Sequence, residues 1–259
     1  VLNNVRGTII HANSYYRDPY DSFGNFDYVM ANPPFNVDGV ELDQVKDQPR
    51  FNTYGVPQNK TKNKKKDAKE TVPNGNYLWI NQFATALNDT GRAALVMANS
   101  ASDAGKSEKD IRIKLIESGI ISQMVTLPSN MFTSVTLPAT LWFFDKGKPQ
   151  ELQDKVLFID ARNYYTVVDR TLNEWSDWQL KNLNAIVWLY RGETEKYQRL
   201  LNEYIDRIKS FVSAIVDFQT GTLCTEMLPE FYQEANNKAI SSSYWPAGQE
   251  EAPQESTGM

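Results

Sequence analysis

The sequence predicts an α/β protein built on a mostly parallel sheet. Three observations carry that prediction. Short apolar runs bounded by turn residues recur along the chain, and runs without polar alternation are the pattern of strands buried on both faces, as in parallel sheets. Segments of helical period lie between them, and strand–helix–strand connections join parallel neighbours. The composition is that of a folded chain, with 41% hydrophobic and 23% charged residues.

Taken in order, residues 5–11 (VRGTIIH) and 26–31 (FDYVMA) read as the first two strands. Asp18-Pro19 and Phe23-Gly24-Asn25 are turn signals between them. Residues 36–75 are irregular and polar. A helix is expected over 76–89, with apolar positions at Leu78, Ile80, Phe83, Ala84 and Leu87 and with Gly91 just past its end. Residues 92–98 (RAALVMA) form the next buried strand. Residues 107–118 read as a helix capped by Ser107 and followed by Gly119. Strands follow at 120–127 and 137–145. The composition shifts at Lys146-Gly147-Lys148-Pro149, which divides the chain into 1–148, a mostly helical region 149–240 that opens with one more strand at Val156–Ile159, and a tail 241–259. The tail, rich in Ser, Pro, Gly and Glu, is expected to be disordered. Over 193–218 apolar side chains fall at 197, 200, 201, 204, 205, 208, 211, 212, 215 and 216, one unbroken helical stripe.

Several function classes are excluded at this level. A chain of 259 residues suits one large domain, or a domain with an appendage. No apolar run approaches the roughly 18 residues that span a bilayer, so no membrane association is expected. Cys224 is the one cysteine, so no intrachain disulfide can form, and a reducing, cytoplasmic setting fits. With only His11 and Cys224 as nitrogen and sulfur ligands, no zinc site is expected, and His11 reads as a structural histidine. The net charge is −5, whereas a protein that grips nucleic acid unaided is usually basic. Any nucleic-acid role is therefore expected to need a partner. The chain enters strand-like sequence directly from Val1, the expectation for a piece of a longer protein.

Asn32-Pro33-Pro34-Phe35 directly follows the strand 26–31. Ligands of open parallel sheets sit at the carboxyl ends of strands. Pro33 holds Asn32 in the extended region, and Pro33 and Pro34 fix two successive φ angles. The loop is therefore stiff, and it presents a side-chain amide beside a backbone carbonyl. Two adjacent acceptors suit an exocyclic amino group. By taking both of its hydrogens they draw the nitrogen toward tetrahedral geometry and return its lone pair for attack on an electrophilic methyl group. Phe35 offers a face for a base to stack on, and a base paired in a duplex would have to be flipped out to reach it. The bland alternative is a rigid turn without chemistry.

FDYVMANPPF resembles the catalytic motif of amino-group DNA methyltransferases that use S-adenosylmethionine, and NPPF resembles the N6-adenine type. Gly75-Asn76-Tyr77-Leu78-Trp79-Ile80, Gly91 to Asn99, Ile111 to Ile116, LPSNMFTSVTLPATLWFFDK and Leu189-Tyr190-Arg191-Gly192 resemble the modification subunit of type I restriction–modification systems, so that the likeness spans about residues 5–192. It implies a Rossmann-like, seven-stranded methyltransferase sheet closed by an antiparallel pair, here 120–127 and 137–145. Residues 5–11, 26–31 and 92–98 become its third, fourth and fifth strands. The first strands and the glycine-rich loop that binds S-adenosylmethionine are then expected upstream of this chain. The resemblance makes Asn32, Pro33, Pro34 and Phe35 catalytic, sets Asn13 and Asn32 toward the cofactor, and sets Phe35 and Phe132 toward the base. It also implies DNA, a specificity subunit and a restriction subunit as partners. Two rival readings stay open: a noncatalytic assembly module, and a methyltransferase acting on another amino group, such as protein glutamine or N4 of cytosine. Lys60, Lys62, Lys64, Lys65, Lys66 and Lys69 against Asp67 make a basic run that is either a loop near the DNA backbone or simply solvated. The stripe on 193–218 is either a docking face or ordinary packing.

Overall fold

The structure, a computed structural model, describes residues 7–58, 69–132 and 136–219. Most of the basic run, Cys224, and the expected disordered tail lie outside the described residues. Of the described residues, those up to Asn130 together with 136–161 make one unit, and Met131, Phe132 and 162–219 make a second.

The first unit is a five-stranded sheet with helices packed on it. Its strands are β1 (Phe26–Ala31), β2 (Leu87–Ala98), β3 (Ile121–Thr126), β4 (Ala139–Asp145) and β5 (Leu157–Asp160), in the order β1-β2-β4-β3-β5. β1 pairs with β2 and β3 with β5 in parallel, while β4 pairs antiparallel with both β2 and β3. Four strands therefore run one way and β4 runs against them. The antiparallel pair implied for 120–127 and 137–145 is present, but it does not close the sheet, because β5 adds in parallel beyond β3. Helices α3 (Asn76–Ala86) and α5 (Lys106–Glu117) bury Tyr77, Ile80, Ala84, Ile111 and Leu115 in one cluster with Leu95, Met97, Trp142 and Phe144 of the sheet. Tyr77 meets Trp142 edge-on at 6.4 Å, a preferred aromatic geometry.

Residues 36–58 are more ordered than their polarity implies. The short helices α1 (Leu42–Val45) and α2 (Pro49–Asn52) bury Leu42, Val45 and Phe51 with Tyr15, Val40, Val72, Leu78 and Trp79. This satellite core rests on the face of α3 that carries Leu78 and Trp79.

Several expectations need correction. Residues 7–11 form no strand, and Ile9 is 97% exposed. Among the described residues nothing pairs with this segment, and the Thr8 carbonyl instead accepts from the Tyr20 hydroxyl at 2.7 Å. His11 is accordingly exposed rather than buried at a strand end. Among the described residues β1 lies at the edge of the sheet, and it is covered on one face: Val29 and Ala31 pack on the core, while Tyr28 is 77% and Met30 87% exposed.

The first long helix stops at Ala86 rather than at residue 89, because Leu87 pairs with Phe26 and begins β2. Here the sheet overrides a continuing helical period. Gly105, not Ser107, occupies the cap position of α5, and the Ser107 hydroxyl instead exchanges hydrogen bonds with the Gln58 backbone. The first unit also runs past the composition shift at 146–149. Lys148 is buried there and donates to the carbonyls of Ile121, Gln153 and Lys155 at 3.0, 3.3 and 2.8 Å, tying β3 to the approach to β5.

In the second unit, a small hairpin of β6 (Thr166–Val167) and β7 (Asn173–Glu174) stands where only loop and helix were expected. It leads to α6 (Asp177–Tyr190), which opens with a reciprocal capping box between Ser176 and Gln179. Gly192, at φ 72°, turns the chain into α7 (Thr194–Gln219). Trp178 holds α6 to α7. It packs on Tyr204 at 4.8 Å and lies under the Arg207 guanidinium at 4.3 Å.

Gly91 tests the β1–β2 junction. The pairing skips from Phe26↔Leu87 to Tyr28↔Arg92, and a side-chain carbon on Gly91 would stand 2.7 Å from the Phe26 carbonyl oxygen. Gly91→Ala must therefore move backbone, and it is expected to cost about 1–3 kcal/mol in urea unfolding.

Candidate active site

The ladder between β1 and β2 decides where the Asn-Pro-Pro-Phe loop leaves the sheet. Its last pairs are Met30↔Ala94 and Ala31↔Leu95, and Asn32 follows at the carboxyl end of β1. Pro33 is buried and seats the loop, Phe35 is half-buried, and Asn32 and Pro34 are exposed. Among the described residues nothing is hydrogen-bonded to the Asn32 side-chain amide. The four consecutive residues make up the loop after β1, with the Asn32 amide exposed beyond buried Pro33.

Just past the loop, Asn36 adopts a left-handed conformation at φ 55°, one that Asn tolerates better than most residues. Its backbone N–H donates to Asn76 Oδ1 at 2.8 Å, and Asn76 Nδ2 donates back to Asn36 Oδ1 at 2.9 Å. Asn74 Nδ2 donates to the same Asn36 oxygen at 3.3 Å, and Asn74 Oδ1 accepts from the Asn76 N–H at 2.7 Å. The Gly75 N–H donates to the Val37 carbonyl at 2.7 Å. The start of α3 is therefore bonded to the exit of the loop. Sequence reasoning missed these residues. The signals available were an Asn-Gly-Asn run opening a helix, which reads as an ordinary turn, and the resemblance of Gly75 to Ile80 to the modification subunit, which assigned Asn76 no role.

Tyr15 lies beneath this junction. A side-chain carbon on Gly75 would stand 2.5 Å from the Tyr15 hydroxyl oxygen, so any side chain there would have to displace the buried Tyr15 ring. Tyr15 packs on Trp79 at 4.6 Å between ring centroids, and burial pushes its phenol up to about 12. The segment before it is anchored by buried Arg50, which donates to the carbonyls of Ser14 and Tyr15 at 2.6 and 2.9 Å.

The remaining candidates are placed as follows. Asn13 is exposed, and its Oδ1 accepts from the Tyr15 N–H at 3.0 Å in a local turn, so that oxygen is already engaged. Phe132 is half-buried and belongs to the second unit. Lys69, the one described lysine of the basic run, donates to Glu41 at 2.7 Å, and this bond holds the Glu41 carboxyl below its usual range. Among the described residues no three His, Cys, Asp or Glu side chains are grouped to hold a metal ion. No helix there is long and apolar enough to cross a membrane.

A mostly parallel sheet with one reversed strand, β4, between β2 and β3 is the fold that the comparisons with known proteins match. The N-6 DNA methylase family matches residues 1–210, and the chain belongs to that family. It is 36% identical over 186 residues to the type I restriction enzyme MjaIX methylase subunit of Methanocaldococcus jannaschii, across 71% of this chain and 31% of that protein. It is 32% identical over 151 residues to the type I restriction enzyme HindI methylase subunit of Haemophilus influenzae, across 58% and 30%. Among solved structures it is similar to the type I restriction–modification methyltransferase subunit from Streptococcus thermophilus, with a TM-score of 0.55 and 27% identity over 67% of this chain and 34% of that one. The chain spans about a third of the length of the curated relatives it matches.

The buried phenol makes a pH prediction. The folded pKa of Tyr15 lies above its ordinary value of 10.0. Its contribution to stability is therefore full below pH 10 and is lost as pH rises toward 12. Tyr15→Phe removes the titrating group. Urea melts between pH 8 and pH 11 are expected to show a shallower alkaline loss for the variant than for the parent chain.

Proposed function

We propose that this chain carries the amine-acceptor site of an S-adenosylmethionine-dependent DNA methyltransferase that modifies N6 of adenine, working as the modification subunit of a type I restriction–modification complex. The observation that carries this reading is the exposed amide of Asn32, set beyond buried Pro33 at the carboxyl end of β1. The family match supports it, as do relatives that are type I methylase subunits.

The chemistry assigned to the chain's own residues is acceptor chemistry. Asn32 Oδ1 and a neighbouring loop carbonyl take the two N6 hydrogens, so that the nitrogen's lone pair is directed at an incoming methyl group. Phe35 stacks on a flipped adenine. Once methylated, the nitrogen is cationic and gives up a proton readily, so no strong base is needed. S-adenosylmethionine supplies the electrophilic methyl group. For holding it, the described residues offer Asn32 and the Nδ2 group of Asn13, and none of their strand-to-helix turns is glycine-rich. Two side chains do not make a nucleoside site.

The proposed partners are DNA, a specificity subunit and a restriction subunit. The stripe on α7 supports a docking role: Leu200 is buried, whereas Ile205 is 39% and Ile208 62% exposed, and Leu201, Phe211, Val212 and Ile215 are exposed as well. An amphipathic helix with an exposed apolar face is a usual element of helix-mediated assembly. A partner that reads the DNA sequence also fits a chain of net charge −5.

Two outcomes test this reading. In the assembled complex, Asn32→Ala is expected to slow single-turnover methylation over about a hundredfold, the cost of one acceptor lost from a dry site, with DNA binding little changed. A near wild-type rate would favour the noncatalytic assembly module. Changing Ile205 and Ile208 together to Asp places two carboxylates in the docking face. The double variant is expected to fold with an almost unmoved thermal midpoint and to fail to co-purify with a specificity subunit. A collapsed midpoint would show that the stripe is internal packing.

A further inference from the structure

We infer that Asn76 is a positioning residue for the acceptor loop, acting through Asn36; the inference rests on the acceptor reading of Asn32 given above. The loop from Asn32 to Asn36 behaves as a short strut. At one end Ala31 is fixed by its pairing with Leu95. Along the strut the φ angles of Pro33 and Pro34 are locked, and each residue before a proline is confined to extended conformations. Phe35 is the one residue of the strut free of these restraints. The other end is Asn36, and its position is set by the reciprocal pair with Asn76. A shift of Asn36 is therefore passed along stiff backbone to the Asn32 amide.

The orientation of the pair follows from chemistry. The Asn36 backbone N–H can only donate, so the atom it meets on Asn76 is the amide oxygen. The Asn76 nitrogen must then face Asn36, which fixes the Asn36 oxygen as its acceptor. Asn74 donates to the same oxygen. The arrangement is more than helix capping requires. The cap position of α3 is Gly75, the Asn76 N–H is satisfied by Asn74, and the Asn76 side chain is given to the loop. Asn76 is 2% exposed, and a buried amide is costly unless it is bonded. Asn36, by contrast, is exposed. The buried partner holds the exposed one, which suits a fixed support beneath a reactive loop.

The test compares four variants in the assembled methyltransferase complex, reading single-turnover methyl transfer, affinity for S-adenosylmethionine and DNA, and thermal midpoint. Asn76→Ala releases the far end of the strut and is expected to slow transfer about a hundredfold, the usual consequence of an ångström-scale misplacement, while both affinities hold. Asn36→Gly keeps the N–H and suits the positive φ but removes both bonds to the Asn36 side-chain oxygen, and it is expected to slow transfer about tenfold. Asn36→Asp keeps the oxygen that Asn74 and Asn76 need, and it should retain the parental rate. Asn32→Ala run in parallel separates the two ideas. If Asn32→Ala is slow while Asn76→Ala and Asn36→Gly are fast, the positioning role is overturned and the acceptor reading stands. If Asn32→Ala is fast, both fall. If Asn76→Ala does not fold, the exposed Asn36 variants decide: Asn36→Asp as slow as Asn36→Gly overturns the role, and a fast Asp beside a slow Gly supports it.

Discussion

The parallel ladder between β1 and β2 is the constraint on which the rest of the site depends. β1 has one partner strand among the described residues, and its course is set by the pairs from Tyr28↔Arg92 to Ala31↔Leu95. The skipped pairing at Gly91 and the bond from Asn88 to Asp27 at 2.7 Å set the start of that ladder. Its end sets the exit of Asn32. β2 is in turn locked by β4 over seven residue pairs, and Arg92 bonds Asp145, a buried carboxylate, at 2.9 Å. The reversed strand thus stiffens the strand that positions the acceptor loop.

Rigidity at the site comes from below as well. The satellite core of Tyr15, Leu42, Val45, Phe51, Leu78 and Trp79 packs on α3, and the first residues of α3 hold Asn36 and Val37. The buried cations do similar structural work. Arg50 and Lys148 spend their donors on backbone carbonyls, and burial holds both below their ordinary pKa values. Arg50 thereby ties residues 14–15 to α2, and Lys148 ties β3 to the approach to β5.

The α6–α7 unit obeys a different logic. Its contacts are aromatic and polar, with Trp178, Tyr204, Asn182 and Arg207 between the helices, while the long apolar stripe of α7 stays exposed. A 26-residue helix is longer than the 14-residue helix it packs against.

The alternation of strands and helices, the two strands of the antiparallel pair, the long C-terminal helix and the Asn-Pro-Pro-Phe loop were legible in the sequence, because each rests on local chemistry: side-chain period, the fixed φ of proline, a glycine at a helix end. The course of residues 7–11, the one-sided cover of β1, the end of α3 at Ala86 and the burial of Lys148 were not, because each depends on what a distant segment does. VRGTIIH has strand composition, but a strand needs a partner across its edge. Leu87 continues a helical period, yet Phe26 claims its backbone. A lysine beside glycine and proline reads as linker until three carbonyls converge on it. The same holds at the site. Sequence alone determined that Asn32 sits on a stiff loop after a strand, since two prolines require it. Only the tertiary structure decided what anchors that loop, because Asn36 and Asn76 stand forty residues apart and are joined by hydrogen bonds that no local pattern records.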